Sequence, residues 1–111
     1  MSTWTVDLAK DASDDVNKIT RWTFHQFGQL RSHAYTQALS QVLKDLVAGP
    51  LHPGVQRLDI GSGLFSIHMA RHHRRARHMI IFRVASDENR SIEVLRILHD
   101  AMNIKNHLIL S

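Results

Sequence analysis

The chain predicts an α+β fold in which an N-terminal strand and an antiparallel helical hairpin pack on a mainly antiparallel sheet, in the order β-α-α-β-β-β-β. Three observations carry this expectation. Apolar residues alternate with period two at the amino terminus, then recur at helical spacing, then return as short runs bounded by turn residues. Only Gly28 and a few residues separate the two helical stretches, so these should fold back on each other. The later strands follow one another through short connections, which favours antiparallel neighbours.

Trp4, Val6 and Leu8 alternate with Thr5 and Asp7, the pattern of a strand with one buried face. Ser13 is the expected cap of helix one, with Asp14 and Asp15 in its first turn, Val16, Ile19, Thr23 and Phe27 as its stripe, and Gly28 as its stop. Helix two carries Tyr35, Ala38, Leu39, Val42 and Leu46 on one side and ends at Gly49-Pro50. Strands are expected over 55–60, 64–70, 78–84 and 92–99, with turns at Gly61-Ser62-Gly63, around Arg74, and at Asp87-Glu88-Asn89. In the third of the five strands Phe65, Ile67 and Met69 should face the helices, while the last strand is apolar on both faces, as an interior strand would be.

With 111 residues the chain should form one domain spanning 1–111, since two segments could not each bury a core. A content of 43% apolar and 22% charged residues excludes a disordered chain. Runs such as Met79 to Phe82 fall far short of the roughly 20 residues of a bilayer span, so no membrane association is expected. Asp7, Asp11, Asp14 and Asp15 stand where a secretory signal would need basic and apolar residues, which points to the cytoplasm. The absence of cysteine removes disulfides and cysteine-ligated zinc.

Charge is uneven. Residues 1–50 hold five Lys/Arg and five Asp/Glu, whereas 51–111 hold nine against five, a net +4. Arg71, His72, His73, Arg74, Arg75, Arg77 and His78 lie within eight residues that contain no acid. Such a cluster attracts polyanions or acidic protein surfaces, or simply keeps a loop solvated. The nine histidines form no His-Glu-x-x-His pattern and no consistent ligand spacing, so neither a metal site nor a cofactor is expected. Arg96 sits among Leu95, Ile97 and Leu98, where a lone charge is costly, and should therefore meet a carboxylate or backbone carbonyls.

The carboxy-terminal string Arg96-Ile97-Leu98-His99-Asp100-Ala101-Met102-Asn103, closing with His107-Leu108, resembles the ending of ParE toxins. Trp22 to Gly28, Ala34-Tyr35, Leu43 and Leu46 before Gly49-Pro50, and His78 to Val84 are similar to further ParE stretches, in the family's order and spacing. The resemblance is to the ParE/RelE superfamily of type II toxins, closest to the ParE branch. It implies a RelE/ParE-like fold, a cognate antitoxin that is ParD-like or related and wraps an apolar groove as part of a hetero-oligomer, and DNA gyrase or its DNA complex as target.

RelE-type relatives instead cut messenger RNA on the ribosome, which needs a base, an acid and cations around the phosphate. At the positions resembling the RelE lysines this chain has Ser66 and His68, and it has no tyrosine after Tyr35. The reading therefore favours a gyrase-inhibiting binding protein over an enzyme. If the chain were an endoribonuclease, His68, Arg96 and His99 would be its catalytic residues. Target contact is expected from Arg71, Arg74, Arg75, Arg77 and His99, and antitoxin contact from Trp22, Phe24 and Leu43. A third alternative is a non-toxic remnant that only binds antitoxin.

Overall fold

Strand β1 (Thr5–Leu8) passes into helix α1 (Lys10–Phe27) through one residue, Ala9. The computed structural model describes residues 3–58 and 63–102. The expected strand end at Asp59 and Ile60, the Gly61-Ser62 turn and the tail from Asn103 to Leu108 lie outside them. Helix α1 begins a turn earlier than the sequence suggests: Ala9 occupies the cap position without a side-chain bond, and Ser13 lies inside, its N–H donating to the Ala9 carbonyl at 3.0 Å. The start is set from outside the helix, because the Ala9 N–H donates to the Val94 carbonyl at 2.9 Å and so holds the chain in the sheet up to that residue.

Gly28 alone separates α1 from helix α2 (Gln29–Asp45). Its φ of +89° lies in the region that side chains with a Cβ avoid, and this lets the chain reverse within one residue. The two helices are stitched by the Ser32 hydroxyl, which donates to the Thr20 carbonyl at 3.2 Å. A 3-10 turn (Leu46–Ala48) continues α2 to Gly49, at φ +102°, where a Cβ would come within 2.7 Å of the Trp4 indole. Only glycine lets the Trp4 ring close that corner.

Strands β2 (Val55–Arg57), β3 (Leu64–His68), β4 (His78–Ser86) and β5 (Ser91–His99) complete a five-stranded sheet in the order β1-β5-β4-β3-β2. The last four strands form an antiparallel run, as their short connections dictate, and β1 lies parallel to β5 with Leu8 opposite Val94. Strand β3 stops at His68, short of the expected residue 70. The His68 Nδ1 accepts the Ala70 N–H at 2.9 Å and turns residues 69–71 into a 3-10 turn.

The core lies between the hairpin and one face of the sheet. Ala38, Leu39, Val42 and Leu46 meet Ile67, Met69, Ile80, Phe82, Ile92, Val94 and Ile97, all essentially inaccessible. Burial of each such Leu, Ile, Val or Phe side chain contributes about 1.5–3 kcal/mol. Helix α1 gives the core little beyond Ala12, with Val16 and Ile19 at its margin, and Phe27 stands half out of the protein at 51% exposure.

What fixes α1 is ionic. Asp15, 8% exposed at its side chain, accepts Arg96 Nε at 2.8 Å and Nη2 at 3.0 Å, and its Oδ2 also accepts the Ile97 N–H at 2.9 Å. The expected partner of Arg96 is thus a carboxylate from the other end of the chain. The bond from Asp15 raises the Arg96 pKa above its ordinary value. We expect Asp15→Ala to lower stability by about 3 kcal/mol in urea unfolding, because it removes a nearly buried carboxylate that accepts a guanidinium and a buried N–H together. Replacing Arg96 by Met in the same chain should restore part of the loss, leaving the Ile97 N–H unsatisfied. A loss below about 1 kcal/mol in the single variant would remove this pair from its structural role.

Candidate functional site

The sheet ends where His78 opens β4 opposite His99, the last residue of β5. The hairpin tip runs on past this edge, and between tip and edge lies a cavity of about 520 Å³. One wall belongs to the helices: Trp22 packs edge-on against Phe27 at 5.7 Å between centroids, and Arg31 lies over the Phe27 ring at 5.5 Å. The other wall is a chain of edge-to-face rings, His73 on Tyr35, Tyr35 on His78 and His78 on His99, each 5.4–5.6 Å apart. Arg75 and Arg77 also line it, and among the described residues no carboxylate does.

The Tyr35 hydroxyl lies 2.6 Å from His78 Nδ1. Burial pushes the Tyr35 phenol up, so it keeps its proton and donates it to the ring nitrogen. Burial, and then the neighbouring His99, push His78 down to about 4, so it is neutral at physiological pH. The His99 Nδ1 accepts the Ala101 N–H at 3.1 Å, which leaves the proton of the neutral ring on Nε2.

A second cluster adjoins the first. His68 Nδ1 is occupied by the Ala70 N–H, so Nε2 carries the proton and donates to Asp100 Oδ2 at 3.0 Å. Arg77 binds the other oxygen of the same carboxylate through Nε and Nη2, each at 3.0 Å. The bonds from His68 and then Arg77 hold the Asp100 carboxyl below the usual carboxylate range.

The expected target-binding arginines divide. Arg71 is built into the fold: its Nε donates to Asp45 Oδ2 at 2.8 Å, beside His72 at 2.6 Å, and its Nη2 lies 3.3 Å from His52. Burial raises the Asp45 pKa, but hydrogen bonds from His72 and Arg71 outweigh it and hold the carboxyl low. Arg77 is 65% exposed and shared with Asp100, whereas Arg74 and Arg75 are exposed and, among the described residues, joined to no carboxylate.

Of the three residues expected for ribonuclease chemistry, His68 and His99 lie near each other around Asp100, while Arg96 is committed to Asp15. Of the expected antitoxin contacts, Trp22 and Phe24 are half exposed, and Leu43 packs against the core. The sequence reading missed the site roles of Phe27, Arg31, His73, Asp100 and the bond from Tyr35 to His78. Tyr35 fits the apolar stripe of α2 by spacing, and only its hydroxyl at the stripe's outer end hints at a polar partner.

Linkage follows from His78. Between its ordinary value of 6.5 and about 4 the unfolded chain binds a proton that the folded chain does not. The associated stability is present above pH 6.5 and lost as the pH falls toward 4. The melting temperature should drop on acidification through this window, and His78→Asn should flatten that slope. An unchanged slope would mean that another group sets it. Asp45 and Asp100, with lowered values, act below the window.

Residues 6–104 match the family described as the ParE toxin of the type II toxin-antitoxin system parDE. No curated protein matches the chain in sequence. Among solved structures, the chromosomal ParDE system of P. aeruginosa aligns with a TM-score of 0.71 at 16% identity, covering 89% of this chain and 98% of that one. The RelBE2 toxin-antitoxin complex of Mycobacterium tuberculosis aligns at 0.57 with 22% identity, covering 87% and 98%. A mutant E. coli RelE toxin in the free state aligns at 0.63 with 12% identity, covering 95% and 92%. The structural likenesses speak for the fold, and the family match over nearly the whole chain speaks for descent: the chain belongs to the ParE toxin family of type II toxin-antitoxin systems.

Proposed function

We propose that the chain arrests growth in the cytoplasm by binding DNA gyrase or its complex with DNA, and that a cognate antitoxin holds it inactive. The observation that carries this reading is the exposed rim of Arg74, Arg75 and Arg77 between β3 and β4, on a chain of the ParE family. A gyrase blocker needs a surface and no catalytic group. The guanidiniums of Arg74 and Arg75, joined to no carboxylate among the described residues, reach phosphate or an acidic protein face at little cost to the sheet.

The antitoxin reading rests on the hairpin tip. Trp22, Phe24, Phe27 and Leu30 are 50–87% exposed, an apolar group that a partner's tail would cover by helix-in-groove docking. The ParDE and RelBE structures that this chain resembles are toxin-antitoxin systems, which supports a hetero-oligomer. Leu43, already against the core, contributes less to such a surface than Trp22 and Phe24.

A second reading draws on one specific observation. The His68 imidazole, oriented by Asp100, with Arg77 on the same carboxylate and His99 alongside, offers an acid-base pair and a cation for RNA cleavage. Induction of the chain followed by parallel assays of supercoiling and messenger RNA cleavage separates the two.

On the gyrase reading, Arg74→Ser/Arg75→Ser/Arg77→Ser abolishes growth arrest and the supercoiling defect while stability changes by no more than about 1 kcal/mol. Arg71 is left in place because its guanidinium holds Asp45. Arrest by the triple variant at wild-type abundance would remove the arginine rim from the mechanism. Messenger RNA cleavage that disappears with His68→Ala would establish the second reading instead.

A further inference from the structure

We propose that the cavity between the hairpin tip and the sheet edge is a small-ligand site for a nucleoside phosphate. Its volume of about 520 Å³ falls within the roughly 300–1,000 Å³ typical of such sites. Its lining holds two aromatic pairs, Trp22 with Phe27 from α1, and Tyr35 of α2 with His73 from the connection between β3 and β4. A flat heteroaromatic ring stacks on such surfaces whatever its hydrogen-bond pattern.

The charge is one-sided. Arg75, joined to no carboxylate among the described residues, and Arg77, shared with Asp100, line the cavity, and the described lining residues include no carboxylate, so the ligand's other end is anionic. With His78 neutral, that attraction is guanidinium chemistry, matched to the oxygens of a phosphate. The lining also carries polar side chains, Thr23 and the imidazoles of His73, His78 and His99, which suit a base with polar edges better than a purely apolar occupant. Ring, polar edge and phosphate together define the class.

The ligand could be a free mononucleotide or the unstacked end of a strand, since both present the same chemistry. The site adjoins the His68 and Asp100 pair through Arg77, and binding is measured directly, so its outcome does not depend on whether gyrase or RNA is the target.

The test is calorimetric titration of the purified full chain with AMP, GMP, CMP and UMP, with adenosine and inorganic phosphate alone, and with short single-stranded DNA and RNA carrying a terminal phosphate. Mononucleotides should bind, and adenosine or phosphate alone should bind at least about tenfold more weakly. Trp22→Ala and Arg75→Ser, both at exposed positions and so expected to melt as wild type, should each weaken binding about tenfold. Tighter binding of strand ends than of mononucleotides would identify the source as a polymer, and equal binding would identify the free nucleotide. Absence of heat with every nucleotide, or binding unaltered in both variants, overturns the proposal. Occupation of the cavity solely by an antitoxin segment would appear as the first of these results.

Discussion

Asp15 accepts three donors with two oxygens, and the position of the hairpin over the sheet follows from that bond. Beyond Val94 strand β1 has ended, and β5 continues with an edge that no strand among the described residues covers. The carboxylate takes the Ile97 N–H of that edge while its other bonds hold the Arg96 guanidinium of the same strand. Few apolar side chains of α1 reach the core, so packing alone would let the helix slide or roll. A nearly buried, bidentate ion pair tolerates neither, because any displacement leaves charge and donor uncompensated in a poorly hydrated place. With α1 pinned near its start and α2 packed by Ala38, Leu39, Val42 and Leu46, the tip around Gly28 is forced past the last pair of β4 and β5. The cavity is the space left by that overhang.

Local features of the fold were legible because they are written in short-range periodicity. The alternation around Val6, the α2 stripe and the apolar β5 each place an element, and Gly28 marks the reversal. Features that depend on distant contacts were not. Ser13 reads as a cap, yet the helix starts at Lys10 because the Ala9 N–H is held by Val94, a partner 85 residues away. The burial of Arg96 announced a carboxylate, but Asp15 reads as an ordinary first-turn acid of a helix, and nothing local distinguishes it from Asp14, which makes only an exposed pair with Lys10. Phe27 and Tyr35 continue their stripes at correct spacing. Whether such residues reach the core depends on where the sheet stops, which helical periodicity does not encode.

The basic run between β3 and β4 illustrates why charge density in a sequence overstates available charge. Arg71 and His72 converge on Asp45 and tie this connection to the end of α2, and Arg77 leans on Asp100. Those contacts hold the segment in place, and Ala76, 2% exposed, packs its middle into the core. Arg74 and Arg75 are therefore presented from an anchored connection, so less side-chain and backbone freedom is lost when they meet an anion. The structural arginine and the presented ones belong to one device.

The histidines around the cavity act differently from the arginines. A protonated imidazole half-buried between the Tyr35 ring and His99 would be poorly hydrated and, among the described residues, have no carboxylate in direct contact, and so His78 remains neutral down to about pH 4. Neutral, it accepts the Tyr35 hydroxyl and packs as a ring, giving the wall an aromatic surface with polar edges and no charge. His78 thus adds no charge to this end of the molecule at physiological pH, where the guanidiniums do not titrate. Recognition through Arg74 and Arg75 should accordingly respond steeply to ionic strength, since salt screens the arginines, while His78 holds its protonation state between pH 6 and 8.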